Sequence, residues 1–167
     1  MYEYEPISPQ RLEDFGAALK EYNSLKKQKE QIERRFGLAG VDYSKVKVTA
    51  GNNLRASEEE RYVMALQKIN DAITDYEKWL IPEKEIITRQ IARVKSHDYR
   101  KILVLRYIEK YPWKEIIQEC FWYEPDFEEE RQGKYRDKVF YWHRQALKEL
   151  EEISAKPYIP LQMPLTL

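Results

Sequence analysis

The chain has 167 residues, in which 29 Lys and Arg residues balance 29 Asp and Glu residues. This length allows one domain, or one domain with a helical arm. A single Cys and two His residues exclude an internal disulfide framework and leave too few ligands for a structural zinc site. No apolar run approaches the ~20 residues that span a bilayer, and the acidic start MYEYEP does not resemble a signal peptide. We therefore expect a cytoplasmic chain with no membrane partner, no metal and no cofactor.

The neutral total conceals two blocks of opposite charge. Segment 89–114 contains eight basic residues and two acidic ones, which gives it a net charge of +6. Segment 119–130 contains six acidic residues and no basic residue, which gives it a net charge of −6. The basic block is typical either of a surface that binds nucleic acid or of ordinary solvated helix faces, and charge alone does not decide between them.

The first predicted helix covers 10–36, because this stretch lacks proline and is rich in Leu, Lys, Glu, Gln and Ala. Its apolar positions form an imperfect seam made of Leu12, Phe15, Leu19, Tyr22, Leu25, Ile32 and Phe36. Gly37 and Gly40 end the helix, so residues 37–56 are predicted to be a connector. Within this connector, Val46 to Thr49 has the composition of a short strand.

The second predicted helix has the most regular pattern in the chain. Ser57 and Glu60 form a capping-box signature at its start. Its apolar residues follow a 4, 3, 4, 3, 4 spacing through Tyr62, Leu66, Ile69, Ile73, Tyr76 and Leu80. This spacing favours an antiparallel hairpin with the first helix, so that 1–95 forms a helical arm. An intermolecular coiled coil uses the same spacing, and a homodimer through the arm is therefore an open alternative. Pro82 is expected to kink or restart the helix.

Residues 96–153 are predicted to form three further helices, which makes the whole chain all-α. Ser96 or Asp98 is expected to cap a short helix that continues to Ile108, and another short helix follows Pro112. The final amphipathic helix runs to about Ile153. This order is typical of a helix-turn-helix module. The remaining residues, 154–167, contain three prolines and are predicted to be an extended tail.

The final helix has the two faces that a DNA-recognition helix needs. Val139, His143, Ala146 and Leu150 are spaced to face inward. The candidates for DNA contact on the other side are Lys134, Tyr135, Arg136, Lys138, Tyr141, Arg144, Gln145 and Lys148. Lys and Arg pair with phosphates or guanine edges, Gln reads adenine, and tyrosine hydroxyls reach phosphates. An ordinary amphipathic surface helix fits the same spacing.

Three ordered motifs in this region resemble a known family. They are L-x-x-R-Y-I from Leu103, W-x-E-I from Trp113, and H-x-x-A-L-x-x-L from His143. Together they resemble the sigma-factor region 4-like helix-turn-helix of phage late-gene transcription regulators of the RinA/ArpU type, and of a related phage family of unknown function. In that family a long amino-terminal helical hairpin with a Gly-containing connector precedes the DNA-binding module, and the arrangement of 10–95 looks similar.

The resemblance implies roles for individual residues. It places Leu103, Tyr107, Ile116, Val139, Ala146 and Leu147 in the core. It places Arg106, Lys114 and the exposed face of 134–148 on DNA. Trp113 is expected to pack against Tyr107, and His143 is expected to make a structural hydrogen bond on the buried side. Cys120 is expected to be a small buried residue.

The sequence departs from the family pattern between the second and third helices of the module. A turn of about three or four residues is usual there, whereas this chain has an acidic and aromatic insertion, 121–133, which we predict to be a loop. Its carboxylates would repel phosphate unless the segment folds away. The insertion either gates access of DNA, or contacts a basic surface on RNA polymerase, or only adds solubility.

The sequence therefore predicts a non-enzymatic DNA-binding transcription regulator of phage or prophage type, acting in a bacterial host. Two alternatives remain, namely a DNA-packaging protein like a small terminase subunit and an adaptor that binds protein alone. A magnesium-dependent nuclease built on Glu124, Asp126, Glu128, Glu129 and Glu130 is disfavoured. Consecutive carboxylates in a loop do not supply the fixed positions that metal-assisted catalysis needs.

Overall fold

A computed structural model of the protein describes residues 6–35 and 58–156, which form helices joined by turns and short irregular segments, with no strand among the described residues. The helices in chain order are α1 (Pro9–Arg35), α2 (Glu58–Ala92), α3 (His97–Leu103), a π-helical turn (Val104–Ile108), α4 (Trp113–Phe121), α5 (Phe127–Glu130) and α6 (Lys134–Ser154). The predicted all-α class is thus confirmed for the described part of the chain.

The described residues form two compact units. The first unit consists of 6–16 and 83–156, and the second unit consists of 17–35 and 58–82. The boundaries therefore fall within the long helices α1 and α2, whereas the sequence analysis divides the chain at residue 95. All the residues proposed for DNA contact belong to the first unit.

In the first unit, the start of α1 is tied to the end of α6 and to α2. The Ile7 amide donates to the Ser154 hydroxyl at 2.7 Å, and both residues are buried. Arg11 makes two hydrogen bonds to the carboxylate of Glu83, at 2.6 and 2.9 Å. A paired, two-point contact of this kind compensates for the burial of the Glu83 charge.

Helix α2 is continuous through Pro82, so the restart that was one of the two predicted outcomes does not occur, and the predicted kink stays a prediction. Proline removes one backbone hydrogen bond from a helix. Leu80 before Pro82 and Ile87 after it are both buried, the first in the second unit and the second in the first unit. This packing on both sides of the proline stabilises the continuous helix. The side chain of Pro82 itself is exposed.

The helix that follows Ser96 is shorter than predicted. Ser96 caps α3 as expected, because its hydroxyl accepts a hydrogen bond from the Tyr99 amide at 3.4 Å. Beyond Leu103 the chain widens into the π-helical turn instead of continuing as an α-helix to Ile108. Lys110 then adopts a positive φ of 62°, and the Tyr111 amide donates back to the Leu105 carbonyl at 2.9 Å. This reversal ends the helix before Pro112.

Helix α6 packs against α3, α4 and α5. The shared core contains eight buried side chains: Ile102, Ile116, Ile117, Cys120, Phe121, Phe127, Tyr135 and Val139. Of the expected core, Leu103, Ile116, Val139 and Ala146 are buried, and Tyr107 and Leu147 are half-buried. Cys120 is a buried free cysteine, as expected, and burial raises the pKa of its thiol.

The segment 121–133 is not the plain loop that the sequence predicts. Helix α4 extends to Phe121, and the short helix α5 follows it. Phe127 is only 8% exposed and packs into the core with Phe121, so aromatic burial anchors the segment. Trp122 and Tyr123, by contrast, are 67% and 63% exposed.

The second unit buries the regular stripe of α2. Tyr62, Leu66 and Leu80 are buried, and Ile69, Ile73 and Tyr76 are half-buried. The Tyr22 hydroxyl of α1 donates to the Glu77 carboxylate at 2.8 Å. The inward face of α2 is therefore confirmed, and the antiparallel hairpin stays a prediction.

Several predictions fall outside the described residues. They concern the connector 37–56 with its short strand, the capping role of Ser57, and most of the tail 154–167. In the part of the chain that is described, no helix combines the length and apolar composition needed to cross a bilayer.

Candidate nucleic-acid interface

The candidate interface is the outward face of α6. Its inward face is fixed by Val139, Ala146 and Leu150, all fully buried. Because residues three and four apart share a helix face, Tyr141, Arg144, Gln145 and Lys148 lie together away from this core. Of these, Tyr141, Arg144 and Lys148 are exposed and Gln145 is half-buried.

His143 is a structural residue, as predicted. Its Nε2 atom and the Tyr107 hydroxyl are hydrogen-bonded at 2.9 Å, and the two rings stack with centroids 5.8 Å apart. Burial, with a smaller contribution from the nearby Arg106 charge, lowers the pKa of His143 to about 4. The imidazole is therefore neutral at physiological pH and available neither as an acid nor as a cationic DNA contact.

Trp113 is a packing residue, as predicted, but the aromatic rings that it contacts lie on α6, whereas the prediction named Tyr107 as its partner. Its ring meets the rings of Phe140 and His143 edge-on, each with a centroid distance of 4.9 Å. The indole thus joins the start of α4 to the middle of α6. This contact positions α6 relative to α4.

Tyr135 is wrong as a DNA contact, because its side chain is only 2% exposed. Its ring packs against Phe121 with centroids 4.6 Å apart, and its hydroxyl donates to the Asp126 carboxylate. The Asp126 carboxylate also accepts from Lys134 Nζ at 2.9 Å. The hydrogen bonds from Tyr135 and then Lys134 lower the pKa of Asp126, and the bond to Asp126 raises the pKa of Lys134. This cluster attaches segment 121–133 to the start of α6.

Two other basic candidates on the first half of α6 are also engaged within the protein. Lys138 Nζ lies over the rings of Phe121 and Trp142, 5.1 and 4.9 Å from their centroids. Arg136 is exposed but is paired with the adjacent Asp137 at 3.2 Å. These side chains, like Lys134, would have to give up an existing contact to bind phosphate.

Arg106 is held inside the module. Its guanidinium lies 4.6 Å from the centroid of the Trp113 ring, and it donates to the Tyr111 carbonyl at 3.3 Å. The side chain is half-buried. The guanidinium stabilises the turn between α3 and α4. Arg106 would have to give up these contacts to bind DNA, so the structure does not favour the role that the family resemblance implies for it.

Several cations of the basic segment 89–114 bind backbone carbonyls at or just beyond helix ends. Arg100 donates to the carbonyls of Val94 and Lys95, at 2.5 and 2.9 Å, just after the end of α2. Lys101 donates to the Glu119 carbonyl at 2.6 Å, in the last turn of α4. Cationic side chains stabilise helix C-termini because the last carbonyls there lack partners within the helix. Much of the +6 charge thus has a structural use.

Three of the cations predicted to contact DNA have no partner within the described part of the protein. Within the described residues, the side chains of Lys114, Arg144 and Lys148 form no hydrogen bond or ion pair. Arg144 and Lys148 line a mostly apolar groove of about 370 Å³, which is completed by Pro9, Tyr141, Gln145, Leu147 and Glu151. Lys114 instead lines a small cavity beside Phe127 and Arg131. The structure therefore brings together the second half of the predicted α6 face and leaves Lys114 apart from it.

The acidic segment is partly neutralised by neighbouring cations. Asp126 pairs with Lys134, and Glu128 pairs with Arg131 at 3.3 Å. Among the described residues, no three or more His, Cys, Asp or Glu side chains are grouped to hold a metal ion.

The groove was missed by sequence reasoning, because Pro9 is 132 positions before Tyr141 and no sequence pattern joins the two residues. Comparison of the chain with protein-family models, with curated proteins and with solved structures finds no match.

Proposed function

We propose that the protein binds duplex DNA through the second half of α6 and acts as a transcription regulator. The observation that supports this most directly is the face formed by Tyr141, Arg144 and Lys148. Both cations are exposed and free of partners within the described residues. They can neutralise phosphates without first breaking an internal contact.

The dimensions of this face suit contact with a DNA backbone. Residues 141 to 148 rise about 10 Å along the helix, at about 1.5 Å per residue. The major groove of B-DNA, about 12 Å wide, admits an α-helix. Arg144 and Lys148 are then the proposed phosphate or guanine contacts, and Gln145 the proposed base contact.

The first half of α6 is assigned a smaller role in this proposal. Lys134 and Lys138 hold the acidic segment and the aromatic core, and the exposed Glu128 and Glu129 lie just before this end of the helix. The negative charges of Glu128 and Glu129 would repel a phosphate backbone. The proposed docking therefore places DNA on the second half of α6, away from α5.

The finer parts of the proposal come from the family resemblance. They are the phage origin, the helical hairpin, and contacts with a bacterial RNA polymerase or with a second copy through the arm. They are based on the motifs from Leu103, Trp113 and His143, and contact between the rings of Trp113 and His143 brings two of these motifs together.

An adaptor that binds only protein is the second candidate. One observation favours it: the basic segment 89–114 is largely occupied by structural contacts, so the first unit has fewer free cations than its sequence suggests. Such an adaptor would use the exposed aromatic side chains and not the cations of α6.

A matched pair of double variants tests DNA binding. R144A/K148A removes the two free cations of α6, and K84A/R89A removes two exposed cations of α2 that have no ion pair within the described residues. We expect the first variant to lose about tenfold or more in affinity for a random-sequence duplex, since each phosphate contact contributes to binding. Fluorescence anisotropy at low salt measures it.

The control separates a site from general charge. If K84A/R89A loses as much affinity as R144A/K148A, binding depends on net charge and the proposed face is wrong. If the wild-type protein does not bind duplex at low salt, the adaptor is the better account.

A further inference from the structure

Two exposed surfaces of the first unit have complementary chemistry. We call the first the acidic knob: it consists of Trp122 and Tyr123 with Glu119 and Glu124 beside them. The second is the basic groove already described, lined by Arg144 and Lys148 among others. The two surfaces share no residue.

The acidic knob exposes the side chains that most often anchor protein interfaces. Trp122 and Tyr123 follow the end of α4, and their rings meet edge-on with centroids 6.2 Å apart. Neighbouring Phe121 and Phe127 are buried, so the segment is anchored while these two rings project from it. Trp and Tyr are enriched among residues that carry binding energy, and each has a large apolar area to bury.

The basic groove has the matching properties. Its lining is mostly apolar, and the 52%-exposed ring of Tyr141 offers a surface for another aromatic ring. Arg144 and Lys148 supply positive charge, opposed in the lining by Glu151 alone. An arginine beside a groove attracts both a carboxylate and the face of an indole ring.

We propose that the acidic knob of one copy binds in the basic groove of a second copy. The occupant is a second copy because this chain itself carries both complementary surfaces, one acidic and aromatic, the other basic and apolar. The contact joins different surfaces of the two copies, so each new copy presents a free knob and a free groove. Such head-to-tail contacts generate rings or filaments.

The proposal goes beyond DNA binding and does not depend on it. It does predict that DNA and a second copy of the chain compete, because Arg144 and Lys148 belong both to the proposed DNA-binding face and to the basic groove. Duplex DNA bound on α6 would exclude the knob of another copy, and self-association would cover the proposed DNA contacts. Each surface consists of only a few residues, so we expect association at high protein concentration and low salt.

Complementary variants of the full chain test the contact. W122A/Y123A removes the knob and keeps the groove, whereas R144E/K148E reverses the groove charge and keeps the knob. Sedimentation velocity without DNA should show concentration-dependent association of the wild type, weakened about thirtyfold or more in each variant. An equimolar mixture of the two variants should form a one-to-one complex that does not grow, because it contains one intact knob and one intact groove.

The controls keep the test decisive. K84E/R89E carries the same charge change on α2 and should associate like the wild type. Circular dichroism checks folding, and K148E replaces the double groove variant if that variant does not fold. A monomeric wild type, a mixture that stays monomeric, or association unchanged in both variants overturns the proposal. None of these results bears on DNA binding, which W122A/Y123A should retain.

Discussion

At the residue scale, the environment of a side chain determines its role more than its type does. Tyr135 and Tyr141 both belong to α6, yet one is buried against Phe121 and the other is exposed. The sequence contained a signal for this difference. Tyr135 lies four residues before Val139, so the inward stripe of the helix extends back to it. Because a tyrosine is compatible with either face of an amphipathic helix, the spacing alone does not decide whether Tyr135 is buried or exposed.

His143 makes the stability of the fold depend on pH. Its pKa is lowered to about 4 in the folded protein, against the ordinary value of 6.5. Between these values the unfolded chain binds a proton that the folded chain does not, so stability falls as pH falls from 6.5 to 4. Chemical denaturation at a series of pH values should show this slope in the wild type and a smaller slope in H143Q.

The exposed His97 provides the matched control for this measurement. H97Q should keep the wild-type pH dependence, because its side chain is largely exposed. Asp126, whose pKa is lowered, loses its contribution to stability only as pH falls below the ordinary carboxyl range. It therefore does not affect the slope of stability against pH above about pH 5. An H143Q variant with the wild-type slope would show that the Tyr107 contact does not exclude the proton.

At the element scale, the periodic helices were predictable and the irregular segments were not. The spacing of Val139, Ala146 and Leu150 defines the buried face of α6, and the stripe of α2 is equally regular. The π-helical turn and the positive φ of Lys110 have no periodic signature. The hydrogen bonds of Arg100 and Lys101 to backbone carbonyls depend on how the helices pack, which a count of charges along the sequence does not contain.

The anchoring of the acidic segment 121–133 in the core can be tested by the free energy of unfolding. Because Phe127 is packed in the core, F127A should lower the free energy of unfolding by about 3 kcal/mol. The exposed neighbour Tyr123 gives the control, since Y123A should change it by no more than about 0.5 kcal/mol. Urea denaturation measures both values. Equal effects of the two variants would mean that the segment is an undocked insertion after all.

At the scale of the whole molecule, charge distribution carries more information than net charge. The neutral total contains a basic block in which Arg100, Lys101 and Arg106 bind backbone carbonyls, and an acidic block partly paired with Lys134 and Arg131. The proposed DNA contacts are therefore local, since among the cations of α6 only Arg144 and Lys148 have no partner in the described residues. The site could be placed on α6 from sequence, but its restriction to the second half of that helix required the contacts.

The measurement that tests the central claim most directly is the salt dependence of duplex binding by the wild type and by R144A/K148A. The logarithm of the binding constant falls with the logarithm of salt concentration by roughly 0.9 per phosphate contacted. We predict a slope about 1.8 units shallower in the double variant, corresponding to two lost contacts. Equal slopes in the two proteins would contradict the account and remove α6 from the DNA interface.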